Sequence, residues 1–250
     1  MTTASDLPQP LGFPQCPTCP YRFNGTPGVC AACAAQTLRA LAEHHCAVCS
    51  QSLDGPGAAC RNPICSWTPA ARYFTRVDAV ALYGYPLDQT IKKFKYDGVA
   101  GWGTIFGRLI VGWLDAHHDE TADIDLIVGN PSAPDRAPLR HVEAVMAAAY
   151  AEDTVGRWPL EDPTAPVLIK TRETPKSAGA GVRWGDKMQA AQDHAAALTI
   201  SGDMQGKRIL LVDDVFTTGA TFHTVGKRLM TEAGAIEVRG LVLARVPFGS

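Results

Sequence analysis

Ile209-Leu210-Leu211-Val212 runs directly into Asp213-Asp214-Val215-Phe216-Thr217-Thr218-Gly219-Ala220-Thr221, and a helical pattern follows at 222–233. Few folds can use that order. Consecutive apolar residues read as a strand buried on both faces, which belongs to a parallel sheet. The strand delivers two carboxylates to its carboxyl end, the edge at which open α/β sheets bind ligands. Gly219 permits a close backbone approach and unusual dihedral angles. The helix start presents unpaired N–H groups and the positive end of a dipole, which suits a phosphate. Three threonine hydroxyls can donate to the same anion. Asp213 and Asp214 cannot bind that phosphate and need hydroxyls or a cation. A sugar phosphate supplies both ends.

Beyond Pro69 the pattern alternates. Strands are expected at 77–83, 124–128, 167–169, 208–212 and 236–244, and helices at 87–95, 102–116, 139–150, 186–198 and 222–233. Strands separated by helices imply an α/β fold, a mostly parallel sheet with helices on both faces. The polar stretch 170–185 carries Lys170, Arg172, Lys176 and Arg183 and has no apolar repeat. At that length it reads as a functional lid. Two rival phosphate chemistries fail. No G-x-x-x-x-G-K-[ST] occurs, because the Gly-Lys within 202–208 lacks the Ser/Thr. A phosphoacceptor domain would carry its acids near the first strand.

The segment from Asp213 to Thr221 resembles the binding motif of type I phosphoribosyltransferases. The resemblance implies that Asp213 and Asp214 hold the ribose 2′- and 3′-hydroxyls. Val215 and Phe216 form the intervening pair, and Thr217, Thr218, Gly219, Ala220 and Thr221 cradle the 5′-phosphate of phosphoribosyl pyrophosphate or a related nucleotide. It also implies a second loop after an early strand that holds pyrophosphate through backbone N–H groups, a place filled by Gly129-Asn130-Pro131-Ser132-Ala133. Mg2+ is expected between pyrophosphate and ribose oxygens, held largely by ligand and water. Lys170 and Arg183 on the lid would offset charge on the leaving group while the lid excludes water from an oxocarbenium-like sugar.

All eight cysteines fall between residues 16 and 65 of the 250. That change sets a boundary near residue 70, with a cysteine-rich module at 1–70 and the α/β domain at 71–250. The spacing Cys16-x2-Cys19-x10-Cys30-x2-Cys33-x12-Cys46-x2-Cys49-x10-Cys60-x4-Cys65 fits two structural Zn2+ sites of four thiolates each. Sequential ribbons pair 16/19 with 30/33 and 46/49 with 60/65, whereas a cross-braced module interleaves them. The repeated ten-residue spacing favours the sequential order. Iron–sulfur ligation is a minor alternative. His44 and His45 read as surface residues. Net charge is −2, and residues 1–70 hold equal numbers of acidic and basic side chains, so strong phosphate-backbone binding by the module is not expected. No apolar run reaches the roughly 18 residues of a membrane span, and the first residues lack a signal-peptide pattern. A cytoplasmic protein is expected, where cysteines hold metal rather than disulfides.

A cysteine module ahead of such a domain resembles the ComF family of competence-associated proteins. Tyr83-Gly84-Tyr85-Pro86-Leu87 and Lys92-Lys93-Phe94-Lys95-Tyr96-Asp97-Gly98 look like that family's aromatic strand end and Lys-Tyr-x-Gly segment, and Arg183 resembles its lid arginine. The chain departs at Ser177, where the family carries Gln, at Trp184-Gly185-Asp186, and in having cysteines for a second site. The resemblance implies a transferase that moves phosphoribose to an acceptor no motif names. The alternative is a non-catalytic accessory of DNA uptake that senses a ligand, meets competence-machinery proteins, or binds single-stranded DNA through Lys92, Lys93, Lys95, Phe94 and Tyr96.

Overall fold

The computed structural model describes residues 37–98, 100–174 and 183–248. Cys16, Cys19, Cys30, Cys33, Lys176 and Ser177 lie outside the described residues. The main sheet has four strands: β1 (Val77–Leu82), β2 (Leu126–Gly129), β5 (Arg208–Phe216) and β6 (Glu237–Arg245), in the order β1-β6-β5-β2. Every pairing in it is parallel. The strands between, β3 (Leu168–Lys170) and β4 (Leu198–Ile200), form a separate antiparallel pair.

Alternation along the strands divides the core into two layers. Leu210 and Val212 of β5 with Leu241 and Leu243 of β6 face α1 (Leu87–Tyr96), α2 (Gly101–Ala116) and α3 (His141–Glu152). Phe94, Phe106, Ile110, Leu114, Val142 and Met146 fill that side. Truncating a buried phenylalanine such as Phe106 to Ala would cost about 3–5 kcal/mol. Gly107 lets α2 approach α3, since a Cβ there would lie 2.6 Å from Ala149 N. Ile209, Leu211 and Val242 face the other way, toward Phe222, Val225 and Leu229 of α5 (Ala220–Thr231) and Ala195 of α4 (Trp184–Ala196).

The cysteine segment shares that second layer. Cys46, Cys49, Ile64 and Phe74 belong to its apolar cluster. Val77 N donates to Val48 O (2.8 Å) and Ser50 Oγ to Val77 O (3.0 Å), which fastens the segment to β1.

Two expectations need correction. The strand expected at 208–212 continues to Phe216, because Asp213, Val215 and Phe216 pair with Val242, Ala244 and Arg245 of β6. The acids are therefore strand residues and the turn begins at Thr217. The helix expected at 186–198 stops at Ala196, and Leu198-Thr199-Ile200 becomes β4. Leu198 continues the helical spacing of Ala191 and Ala195, which hides the change, and Arg228 Nη1 fixes it by donating to Ala195 O (2.5 Å) and Leu198 O (2.7 Å). Among the described residues no helix is long and apolar enough to cross a membrane.

Candidate functional site

The carboxyl edges of β5 and β2 meet side by side, with Gly129 opposite Val212. Past them the chain turns through Thr217 and Thr218 to Gly219, the N-cap of α5, at φ 88°. That left-handed geometry favours glycine, and a Cβ there would press to 2.8 Å from the Phe216 ring and 3.2 Å from Ile64 Cγ2. The turn lines a pocket together with Asp213, residues 215–222 and, from α4, Lys187. The first amides of α5 point out with no partner within the helix. The turn thus places outward-facing amides and the Lys187 side chain around one pocket.

Asp214 is buried under two donors. Lys95 Nζ lies 2.5 Å and His141 Nε2 2.9 Å from its Oδ2. Burial raises its pKa, but Lys95 and His141 outweigh that and hold the carboxyl well below the usual range. Burial opposes the charge on Lys95 in turn, and Asp214 and Asp213 more than restore it. The other ring nitrogen of His141 sits 3.1 Å from Ser132 Oγ, so Ser132 orients the imidazole.

Asp213 behaves differently. It accepts from Asn130 Nδ2 (2.8 Å) and from the Asp214 amide (2.8 Å). Burial first, and the Asp214 charge second, push it up to about 7. His194 Nε2 donates to Asn130 Oδ1 (2.8 Å), completing a His194–Asn130–Asp213 relay. Burial, then the charge of Lys170, lowers His194 to about 4, so it is a neutral donor. Lys170 itself is buried and donates to Thr174 Oγ1 (2.7 Å). Burial and the neighbouring Arg136 depress its pKa, with Arg172 adding to the effect. Lys170 therefore sits among mixed charges, with Arg136 and Arg172 opposed by Glu173 and Glu143. Arg183 is exposed at the N-cap of α4.

The site residues anticipated from sequence therefore converge: Asp213, Asp214, Asn130, Ser132, Lys170 and the threonine turn share one edge. Pro131 lies between Asn130 and Ser132 on the β2 exit. Asp213 yields a prediction. A carboxyl whose folded pKa is raised binds its proton more tightly folded than unfolded, so stability falls as pH climbs from its ordinary range near 4 to about 7. Asp213→Asn removes that penalty. The variant is expected to gain on the parent in thermal melts between about pH 4 and about pH 7 and to hold that gain above it, and a constant offset across that range would refute the assignment.

The family description "Phosphoribosyl transferase domain" matches residues 166–249. "Competence protein ComFC" of Streptococcus pneumoniae (strain ATCC BAA-255 / R6) is 51% identical over 170 residues, 67% of either chain. The chain belongs to the ComF family.

One of the two cysteine sets anticipated from spacing is assembled. The sulfurs of Cys46, Cys49, Cys60 and Cys65 all lie within 4.8 Å of one another, with Cys49 and Cys60 3.7 Å apart. Tetrahedral thiolates about 2.3 Å from zinc stand about 3.8 Å from each other. The cluster is the second of the two sequential sets, complete without a ligand from the first. Burial pushes Cys60 up to about 11, and the thiols Cys46 and Cys49 with burial push Cys65 far higher. Four thiolates cannot coexist here unaided, and a divalent cation would supply what they lack. Two buried arginines complete the balance. Arg245 Nη2 is 3.5 Å from Cys49 Sγ. Arg72, lowered by burial, is drawn back by Cys65 and Cys46. Four thiolates around a divalent ion leave two negative charges, which these two guanidiniums match. The residues fit a structural zinc ion.

Lys95, His141, His194 and Lys187 are site residues that motif reading missed or placed elsewhere. The stripe of Lys92, Lys93, Lys95, Phe94 and Tyr96 that the DNA-handling alternative needs does not exist as a unit. Phe94 is in the core, Lys95 is held by Asp214, and Lys92 pairs with Asp88 at 2.9 Å.

Proposed function

We propose that this edge binds phosphoribosyl pyrophosphate and that the protein transfers its phosphoribosyl group to an acceptor. The observation that supports the reading best is the joint placement of a left-handed Gly219 turn, which presents amides to an anion, and a carboxylate pair one strand-end away. The residues 217–221 bind the 5′-phosphate, with Lys187 beside it. Asp213 and Asp214 accept from the ribose hydroxyls, and Lys95 and His141 keep Asp214 ionised and fixed in orientation. Lys170, Arg136 and Arg172 offset the charge that collects on departing pyrophosphate as the C1–O bond breaks. Mg2+ would bind the pyrophosphate oxygens and add to that neutralisation. The bond to C1 is then made by the acceptor, whose lost proton leaves to solvent or to a base.

The test is calorimetric titration of phosphoribosyl pyrophosphate with magnesium into the zinc-loaded protein, beside Asp213→Asn/Asp214→Asn. Saturable binding is expected, weakened at least about a hundredfold by the double change, which weakens two charge-assisted hydrogen bonds. Absence of binding to the folded, zinc-loaded parent would refute the reading. Tight binding of a single-stranded oligonucleotide instead, falling steeply with salt, would establish the DNA-handling alternative.

A further inference from the structure

The four-cysteine knuckle does more than fill a core. It backs directly onto the turn that receives the anion. Asn62, between Cys60 and Cys65, is fully buried, and its Nδ2 donates to Thr218 O at 3.2 Å. Its own carbonyl accepts from the Cys65 amide (3.0 Å), so a metal-bound Cys65 holds it in place. Ile64, two residues on, lies under Gly219. From the end of β6, Arg245 is fully buried. Its Nε donates to Cys49 O (2.6 Å), and its Nη1 donates to Thr217 O (3.0 Å), Phe216 O (3.3 Å) and Val246 O. Its plane rests 4.8 Å from the Phe216 ring centroid. Three consecutive carbonyls of the turn, at 216, 217 and 218, are thus fixed from behind by groups anchored on the cysteine segment. Carbonyls held inward leave the neighbouring amides directed outward, the orientation that an anion requires.

We propose that the knuckle is the rear support of the phosphate turn, with Asn62 and Arg245 as positioning residues that couple metal occupancy to ligand affinity. The ligand half of this coupling rests on the phosphoribosyl reading above; the structural half does not. Coupling between two sites is reciprocal. Metal loading pre-orders the turn and raises affinity for the phosphorylated sugar. Binding of that sugar raises affinity for the metal by the same factor.

Asn62→Asp isolates the link, since it keeps size and replaces the donor to Thr218 with an oxygen. In the full zinc-loaded chain, amide hydrogen exchange at 217–221 is expected to quicken at least about fivefold while chelator-titrated zinc stays at the parent level. Affinity for magnesium phosphoribosyl pyrophosphate is expected to fall about tenfold. In the parent, that ligand raises the concentration of chromophoric chelator needed to remove half the zinc at equilibrium; in the variant the rise shrinks by the same factor as the loss of coupling. Ile64→Ala repeats the exchange experiment should Asn62→Asp fail to fold. Unchanged exchange at 217–221 in the folded variant, with zinc retained, overturns the proposal. Faster exchange with no sugar binding by the parent leaves the structural link standing and removes the phosphoribosyl reading, so the two failures are distinct.

Discussion

Lys95→Met is expected to cost about 3–5 kcal/mol of folding stability at neutral pH, because it removes one partner of a buried ion pair. Lys95 and Asp214 retain 19% and 9% of their side-chain exposure, so water cannot replace either. Methionine fills the space but leaves Asp214 to His141 alone. The sign with pH follows from Asp214. A carboxyl held below its ordinary range stabilises the fold above that range and loses the contribution as pH falls through it. The difference between parent and variant is therefore at its full size at neutral pH and is lost only as pH falls below about 4. Lys95→Met/Asp214→Asn, with both charges gone, should recover much of the loss. Denaturant unfolding at three pH values measures all of this. A single variant as stable as the parent at pH 7 would show that Lys95 reaches solvent in solution.

Stripping zinc from the loaded protein is expected to lower its melting temperature by about 10 °C or more, as several kcal/mol of metal-coupled folding energy is lost. Arg72 and Arg245 explain why the penalty is large. With the thiolates discharged to thiols, two buried guanidiniums keep their backbone acceptors but lose the counter-charge. Arg245→Met lowers the melting temperature of the loaded protein, because the carbonyls of Cys49 and Thr217 lose this donor and that of Phe216 keeps only the Val246 amide. It should nevertheless lose less than the parent on stripping, since one uncompensated charge has gone. Differential scanning calorimetry of the four species closes the cycle. Equal losses on stripping would mean that the arginines serve the backbone alone.

The part of the site legible in the sequence is the part that is contiguous. Asp213 to Thr221 announces itself because strand, acids, turn and helix follow one another without interruption. Cys46, Cys49, Cys60 and Cys65 are legible for the same reason, as spacing within one short segment. Lys95, His141 and His194 escaped because each reaches the acids from a different helix, and no local pattern ties them together. A signal for Lys95 did exist. Leu87, Ile91 and Phe94 form the buried stripe of α1, and Lys95, four residues after Ile91, borders that stripe rather than opposing it. A lysine at such a position calls for a buried acid. His141 gives no comparable hint, since a histidine at a helix start has many uses. The strand boundary at Val212 was misplaced because two acids look like an ending. In a parallel sheet whose carboxyl edge is the binding surface, the ladder outlasts the apolar run. The tie from Asn62 to Thr218 spans 156 positions and follows only from how the knuckle seats on the sheet.

The strand order carries a consequence for how the chain is made. β6 lies between β1 and β5, yet it is synthesised after both. While ribosomes translate the first 236 residues, β1 lacks its only neighbour in the main sheet among the described residues, and β5 is covered on one side by β2 alone. The sheet therefore closes late, in a single event that inserts β6 into its centre. Arg245 at the far end of that strand then locks the knuckle and the turn together. A nascent chain halted before this point exposes two unpaired strand edges, which are templates for edge-to-edge aggregation.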